Sequence, residues 1–356
     1  MKAILAGSYS IYFNEEGYHS LNQLIEELQP TKIGLITDYN TSNFCKAILI
    51  SKMVKGAEVI EFSIPPGEEN KNLDSCLTLW RKFTEFNLDK KSILINLGGG
   101  VVTDLGGFVA STFLRGISFI NIPTSLLAMV DASIGGKTGI DLGVLKNQIG
   151  VMASPKMVLI DFYFLKTLPK QHFNSGIAEV LKHGLIHSES FWKKITKNKI
   201  TIQTDELSSI IYKSIQIKNK IVSEDYYESG LRKSLNFGHT LGHAIESYSL
   251  SQKKIKPLFH GDAIAIGLIL EGYLSSKYLG FSIEFVFEIK SVVKKYFNTI
   301  EFDNESIIDI ISYLIYDKKN NNEQVNFVLL KDFGEIVLDI QVTENSIREA
   351  FKFYLE

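Results

Sequence analysis

Short runs of apolar, often β-branched residues alternate with longer amphipathic segments through the first half of the chain. The apolar runs fall at residues 32–37, 59–64, 92–97, 118–122 and 158–161. Short apolar runs that are bounded by turn residues and separated by helical patterns are typical of parallel strands joined by crossover helices. The first half is therefore predicted to be an α/β domain with a parallel sheet.

One of the amphipathic segments, residues 73–86, predicts a helix between two of these strands. Its apolar side chains recur at intervals of three and four, at Leu73, Leu77, Trp80, Phe83 and Phe86. This spacing places them on one helical face, which we expect to pack against the sheet.

The pattern changes near residue 170, where helical periodicity replaces the strand-like runs until residues 325–330. Candidate helices cover residues 175–187, 207–222, 236–248, 262–279 and 307–316. The polar tract at 317–323 is interpreted as a solvated loop. We therefore predict an α/β domain at 1–168 and a mostly helical domain at 169–356.

Composition and charge narrow the class of protein. The 356 residues are 45% hydrophobic, with 38 basic and 40 acidic side chains and a net charge of −2, values typical of a folded chain of about two domains. The near-neutral balance argues against a broad nucleic-acid surface. Apolar stretches such as 263–270 are shorter than the roughly 20 residues that span a bilayer. Because the N-terminus lacks a secretory pattern and Cys45 and Cys76 form no CxxC motif, we expect a cytoplasmic protein without membrane or nucleic-acid partners.

A glycine turn between a strand and a helix, within residues 92–110, is a candidate nucleotide site. Gly98 and Gly100 precede the helix, whose free N–H groups would face a phosphate. Thr103 stands at the third glycine position of the dinucleotide fingerprint, so an ordinary glycine turn is the alternative. Asp38, after an upstream strand, would hold a ribose hydroxyl or else cap a helix.

Other polar turns lie where ligands bind in open α/β sheets. Residues 66–71 and 123–125 follow strands. The glycine-rich stretch 131–147 carries Lys137, Lys146 and Asn147 as donors and is interpreted as an anion cradle, with a flexible loop as the alternative.

The helical half carries histidines in a pattern that suggests a metal. His239 and His243 are four residues apart and share a helical face, and His260 adjoins a glycine. Together with Glu179, His239 and His260 would provide three ligands and leave a position for substrate, as a catalytic zinc requires. Structural histidines are the alternative, and the sequence leaves the ligand set open.

Basic and amide groups accompany these residues. Lys182 follows Glu179 by three positions, and Arg232 and Asn236 are four apart. An arginine that forks a carboxylate and a lysine that supplies a point charge would suit a small polyanionic substrate. An ion-pair network is the alternative.

With these residues assembled, the chain resembles the 3-dehydroquinate synthase family of sugar phosphate cyclases from Asp38 to about Gly334. The resemblance is carried by PGEENK at Pro66, GGGVVTDLGGFVASTFLRG at Gly98, PTSLLAMVDASIGGKTGI at Pro123, LKNQIG at Leu145, SGIAEVLKHGLI at Ser175, GLRKSLNFGHTLGHAIE at Gly230, HGDAIAIG at His260 and DKK at Asp317.

The resemblance implies a Rossmann-like NAD-binding domain, then a helical metal- and substrate-binding domain. It implies one divalent metal, usually zinc with cobalt as an alternative, on Glu179, His239 and His260. It implies NAD contacts at Asp38, Pro66, Gly67, Glu68, Lys71, Gly99, Gly100, Val101, Val102, Thr103, Asp104, Thr124, Ser125, Lys137, Lys146, Phe164, Leu165, Lys166 and Thr167. It implies substrate contacts at Asp131, Lys137, Asn147, Lys182, Lys218, Arg232, Asn236, His243 and Lys318. In a homodimer, Arg115 would reach the neighbouring subunit's site.

The implied reaction converts 3-deoxy-D-arabino-heptulosonate 7-phosphate into 3-dehydroquinate and phosphate in the shikimate pathway. A transient oxidation by NAD precedes phosphate elimination, and re-reduction and aldol closure follow, so no net redox change is expected. The rivals are an inosose or valiolone synthase, a metal-dependent polyol dehydrogenase and a non-catalytic NAD-binding protein. The chain retains Lys218, Arg232 and Lys318, the set expected for a substrate with both carboxylate and phosphate. This favours the 3-dehydroquinate synthase hypothesis.

The chain also differs from the usual family pattern. Thr103 stands where the family has glycine, Asp262 where it has glutamate, His183 where it has tyrosine and Asp141 where it has asparagine. The loop at 142–145 also departs from the common form, and related cyclases diverge in this region.

Overall fold

The computed structural model describes residues 1–54, 58–252, 257–314 and 325–356. By its internal contacts the chain divides into two compact units, Met1–Pro169 and Lys170–Glu356. Among the described residues, no helix combines the length and the apolar character that crossing a membrane requires.

A twisted, mostly parallel sheet forms the centre of the first unit. Its strands run in the order β1-β2-β9-β6-β5-β3-β4, and only the β1–β2 pair is antiparallel. The strands of this unit, including the separate hairpin β7–β8, are β1 (Ile4–Ala6), β2 (Tyr9–Phe13), β3 (Ile33–Asp38), β4 (Val59–Ile64), β5 (Ile93–Gly98), β6 (Ser118–Pro123), β7 (Lys137–Leu142), β8 (Leu145–Met152) and β9 (Met157–Ile160).

Helices connect the strands of this unit. The α-helices are α1 (Asn14–Leu28), α2 (Tyr39–Phe44), α3 (Lys46–Lys52), α4 (Leu73–Glu85) and α5 (Gly100–Thr112). Short 3₁₀ or π turns occupy Glu68–Asn70, Phe113–Arg115, Ala128–Ala132 and Phe162–Thr167.

The five predicted parallel strands and the helix at 73–86 are confirmed, but the expected buried face of that helix was partly wrong. Leu73, Leu77 and Phe86 are exposed. The buried side chains of α4 are those of Cys76, Leu79 and Phe83, which pack in the core beside the sheet. Periodicity located the helix, but its apolar residues lie on more than one face.

The glycine-rich stretch from 137 onward forms the hairpin β7–β8, not the flexible loop considered as the alternative. Gly139 and Gly150 face each other across the two strands. A Cβ on either glycine would overlap the opposing backbone, so these glycines allow the strands to pair closely.

The second unit is mostly helical, as predicted. Its helices are α6 (Lys170–His187), α7 (Glu189–Thr196), α8 (Leu207–Glu224), α9 (His239–Ser251), α10 (His260–Leu279), α11 (Ile283–Lys294), α12 (Asn304–Tyr313) and α13 (Glu344–Leu355). The strands β10 (Asn326–Asp332) and β11 (Glu335–Gln341) form an antiparallel hairpin. The predicted loop at 317–323 lies outside the described residues.

Helix α10 is the central element of this unit. It packs against α6, α9, α11, α13 and β10, and its residues from Ala263 to Leu270 are all buried. The helix predicted at 236–248 begins only at His239, because a 3₁₀ turn (Leu231–Asn236) and the left-handed Gly238 precede it. These starting points place His239 and His260 each at the first position of a helix.

Candidate metal and cofactor sites

Three side chains from three helices meet in the second unit. Glu179 of α6 is fully buried, and its Oε1 atom lies 3.3 Å from His239 Nε2 and 3.5 Å from His260 Nε2. Ligand atoms of all three residues lie within 4.8 Å of one another. The structure therefore brings together the three residues singled out as metal ligands.

The arrangement fits a zinc-like ion. Four ligands at about 2.0–2.1 Å around a tetrahedral centre lie about 3.4 Å from one another, close to the separations seen here. Apart from the ion pair of its Oε2 atom with Lys182, Glu179 makes no hydrogen bond within the described part of the chain, so Oε1 remains available to an ion between the two histidines. The Nδ1 atoms of His239 and His260 face Phe237 O at 3.3 Å and Glu246 Oε2 at 3.0 Å, which orients each Nε2 toward the common centre.

The pKa values of the three candidate ligands are shifted by burial and by neighbouring charges. Burial raises the pKa of Glu179, but the paired Lys182 ammonium and His239 outweigh it and hold that pKa well below its usual range. Burial and Lys182 lower the pKa of His239, which favours its neutral, ligating form. Burial also opposes the charge on His260, but Glu246 and Glu179 raise its pKa to about 10, so a metal ion would displace a proton there.

A second set of residues, His243, Glu246 and His260, also lies within 4.8 Å. Glu246 contacts Nδ1 of His260, whereas Glu179 faces Nε2. Because both histidines of the first set present Nε2 to one carboxylate oxygen, the structure favours Glu179, His239 and His260 as the ligands.

The predicted substrate residues of this unit lie on the helices that carry the proposed ligands or on elements packed against them. Lys182 and Lys218 are buried on α6 and α8, and the ring of His243 lies 5.1 Å from that of His239. Arg232 Nη1 donates to Tyr226 O at 2.5 Å, and Asn236 Nδ2 donates to Glu228 Oε1 at 2.6 Å. Lys318 lies outside the described residues.

Asp225 organises the loop that carries Arg232, a role that the sequence reasoning missed. Its Oδ2 atom accepts from Gly230 N at 2.7 Å and from Arg232 N at 3.0 Å. These backbone hydrogen bonds lower the pKa of Asp225 to about 2. The signal for this role in the sequence is weak, because Asp225 precedes the Ser229-Gly230 pair by four residues and Glu228 lies closer to it.

In the first unit, the strand, glycine turn and helix predicted as a nucleotide site are confirmed as local structure. β5 ends at Gly98 and α5 begins at Gly100, and Thr124 N donates to Gly98 O at 2.9 Å. A Cβ on Gly99 would lie 3.3 Å from Ser125 Oγ. The predicted residues Gly99, Thr124 and Ser125 are therefore neighbours at the carboxyl end of two adjacent strands.

Asp38 and Thr103 both bond to nearby backbone. Asp38 ends β3 and caps α2, because its Oδ1 atom accepts from Asn40 N and Thr41 N, each at 2.8 Å. Thr103 is buried, and its hydroxyl donates to Gly100 O at 3.1 Å. The other predicted residues of this helix start are Val101, half-buried, Val102, fully buried, and Asp104.

The charged residues predicted to bind NAD form a network. Lys71 is buried and donates to Asp104 Oδ2 and Asn147 Oδ1, both at 2.6 Å, while Lys146 pairs with Asp141 at 2.7 Å and with Glu68. Burial lowers the pKa of Lys71, but Asp104 and Glu68 outweigh it and raise that pKa, so the lysine stays charged.

The remaining predicted residues of the first unit differ in exposure. Phe164 and Leu165 are buried, whereas Lys137, Lys166 and Thr167 are exposed and Asp131 is half-buried. Pro66 and Gly67 lie in the exposed turn after β4. Arg115 is exposed in a left-handed conformation with φ 63°.

Comparison with known proteins places these features in a family. A family model described as "3-dehydroquinate synthase N-terminal" matches residues 61–175, and one described as "3-dehydroquinate synthase C-terminal" matches residues 176–320. The 3-dehydroquinate synthase of Parabacteroides distasonis is 39% identical over 339 residues, covering 94% of this chain and 95% of that protein.

Solved structures share the fold. A 2-deoxy-scyllo-inosose synthase complexed with carbaglucose-6-phosphate, NAD+ and Co2+ has a TM-score of 0.86 at 24% identity, covering 99% of each chain. The 2-epi-5-epi-valiolone synthase of Streptomyces hygroscopicus, with NAD+ and Zn2+ bound, has a TM-score of 0.85 at 22% identity, covering 100% of this chain and 99% of that one. The α/β unit with a parallel sheet and the mostly helical unit are thus the fold of sugar phosphate cyclases, and the chain belongs to the 3-dehydroquinate synthase family.

Proposed function

We propose that this chain converts 3-deoxy-D-arabino-heptulosonate 7-phosphate into 3-dehydroquinate and phosphate, using NAD and one divalent metal ion. The observation that carries the proposal is the convergence of Glu179, His239 and His260 in a member of the 3-dehydroquinate synthase family. Similar structures with bound NAD+ and either Co2+ or Zn2+ support the same pair of cofactors.

Each unit has a separate task in the proposed reaction. The first unit binds NAD at the carboxyl ends of β3, β5 and β6, where the start of α5 lies beside the backbone of Thr124 and the hydroxyl of Ser125. The second unit holds the metal on Glu179, His239 and His260. When bound, the metal would supply a Lewis acid for the C5 oxygen of the substrate, and NAD would supply the hydride acceptor.

The charged residues of this chain bind and orient the substrate. Arg232 presents a planar fork of donors suited to the carboxylate, and Lys218 adds a point charge. Lys137, Asn147, His243 and Lys318 are assigned to the phosphate. Lys182, buried beside Glu179, holds its ammonium at the metal ligand set and offers a donor to a substrate hydroxyl. Asp131 and Asn236 complete the proposed set of substrate contacts.

The acid–base demand on the protein is small. Oxidation of C5 acidifies the neighbouring C–H bond, so elimination needs only a weak base, a role that the departing phosphate is able to fill. The chain therefore mainly positions the substrate and stabilises its negative charge.

We also propose that the protein is a cytoplasmic homodimer in which Arg115 extends toward the neighbouring subunit. The exposure of Arg115 supports this role, since it leaves the guanidinium accessible to a second copy of the chain. Sedimentation of the wild type and of Arg115→Ala, with activity measured on both, tests it. A wild-type monomer of full activity would contradict it.

A phosphate-release assay tests the proposed reaction. The protein with NAD and Zn2+ is expected to release phosphate from the heptulosonate substrate without accumulating absorbance at 340 nm, because each NADH is reoxidised in the same turnover. Release only from a hexose phosphate that lacks the carboxylate would favour the inosose synthase rival. Steady growth of the NADH signal would instead favour a polyol dehydrogenase.

A further inference from the structure

Two buried carboxylates of the second unit, Glu246 of α9 and Glu271 of α10, connect these two helices. Each contacts the start of the other helix. Glu246 of α9 places Oε2 3.0 Å from Nδ1 of His260, the first residue of α10. Glu271 of α10 accepts from Gly238 N at 2.6 Å and from Leu241 N at 2.9 Å, at the start of α9. Each carboxylate thus holds the start of the other helix, where a proposed metal ligand lies.

The start of α9 depends on Glu271 because it has no cap of its own. Its N-cap residue is Gly238, which is left-handed at φ 79° and has no side chain to accept from the first amides. The start of α10 differs, since its own Asp262 accepts from Phe259 N at 3.1 Å. A carboxylate at a helix start satisfies free N–H groups and interacts favourably with the helix dipole. Glu271 therefore supplies from α10 the cap that α9 lacks.

Close helix packing brings Glu271 within reach of these amides. A Cβ on Gly267 of α10 would overlap the carbonyl oxygen of Gly238, and a Cβ on Gly242 of α9 would lie 2.8 Å from Ile264 Cδ1. Both carboxylates are almost entirely buried, with 2% of Glu246 and 0% of Glu271 exposed. Water therefore does not compete for either interaction.

We propose that Glu246 and Glu271 are positioning residues that form a reciprocal brace between α9 and α10 and hold His239 and His260 in a metal-binding arrangement before the ion arrives. The inference rests on the proposed metal site, and it identifies residues that determine how tightly that site binds its ion. Without the brace, ion binding would have to order both helix starts, and affinity would fall.

Zinc binding by the metal-free full-length protein tests the brace without reference to activity. Zn2+ is titrated against a chromogenic chelator. Glu271→Gln retains only one acceptor oxygen for two amides, and Glu246→Leu leaves His260 Nδ1 without its acceptor. We expect both variants to bind zinc about 10–100-fold more weakly. Glu246→Gln keeps an acceptor oxygen and is expected to recover most of the loss. Hydrogen exchange at the Leu241 amide should accelerate in Glu271→Gln.

Glu288→Gln is the matched control. Glu288 lies on α11 and accepts from Trp192 Nε1 at 2.8 Å, and within the described residues it is not bonded to a proposed metal ligand. The zinc affinity of this variant should equal that of the wild type. Wild-type affinity in folded Glu271→Gln and Glu246→Leu would overturn the brace, as would equal weakening in Glu288→Gln. If Glu246→Leu does not fold, Glu271→Gln decides. His239→Ala separates the two proposals. If His239→Ala loses zinc binding while Glu271→Gln binds zinc with wild-type affinity, only the brace is refuted. If His239→Ala still binds zinc, the metal site itself is refuted.

Discussion

The two units build their candidate sites from different materials. In the first unit, backbone turns at the ends of strands form the candidate nucleotide site, and charged side chains such as the buried Lys71 and the half-buried Asp104 pair with one another. In the second unit, single side chains at the starts of two helices converge on Glu179, which is fully buried and whose charge is balanced by Lys182. Substitutions within the charge network of the first unit should therefore act mainly through folding, and those of the three proposed metal ligands of the second unit mainly through chemistry.

The largest effect is expected from Glu179→Gln. The amide keeps the shape of the side chain but removes the negative charge that would ligate the ion, so turnover should fall about a thousandfold, equivalent to about 4 kcal/mol. Phosphate release at saturating substrate measures the loss, with Glu288→Gln as the control. Activity within tenfold of the wild type would remove Glu179 from the ligand set.

Lys71→Met tests the first unit. The substitution leaves the Asp104 carboxylate, which is only 18% exposed, without its cation and should destabilise the unit by about 3 kcal/mol. Urea unfolding measures the change. The double variant Lys71→Met/Asp104→Leu should recover most of the stability, because both charges are then absent. No recovery would show that Lys71 acts through contacts other than this pair.

Two glycines on α10 provide a smaller, matched comparison. Gly267→Ala would force a methyl group against the Gly238 carbonyl, costing about 1–3 kcal/mol of stability and weakening zinc binding. Gly272→Ala meets only Ile289 and Val286 side chains at 3.7 Å, so it should stabilise the helix by about 0.5–1 kcal/mol. Thermal unfolding checks both, and equal effects would show that the α9–α10 contact is not tight.

The smallest effect is expected at Asp225, and it should depend on pH. Its pKa is lowered from an ordinary 3.8 to about 2 by backbone hydrogen bonds in the folded state. Its stabilising contribution is therefore fully present above about pH 4 and is lost as the pH falls through 2. Asp225→Asn should unfold slightly earlier than the wild type at pH 6, and the difference should shrink toward pH 2. A constant difference across that range would rule out this origin.

The pattern of apolar and polar residues along the chain predicted much of this fold. Five of the sheet strands and the helical second half were predicted because continuous apolar runs and 3.6-residue periodicity are local signals. The strands β1 and β2 were not predicted, because β1 has three residues and both lie in a short N-terminal segment. The hairpin β7–β8 was also missed, since its glycines serve close strand pairing, which depends on a partner strand.

The candidate metal site was also only partly predictable from the sequence. Glu179, His239 and His260 were candidates by residue type, the family resemblance implied them as the ligands, and the structure brings them together. Glu246 and Glu271 were missed as supports because each acts on a helix distant along the chain. Helix registers and packing decide such contacts, and a single sequence does not reveal them.

The most direct test of the division of labour measures NAD and zinc binding on the same preparation of His260→Ala by titration calorimetry. The proposed sites predict that zinc binding is lost while NAD still binds near its wild-type affinity, because the nucleotide residues belong to the other unit. Zinc binding at wild-type affinity would contradict the assignment of His260 as a ligand and, with it, the proposed metal centre.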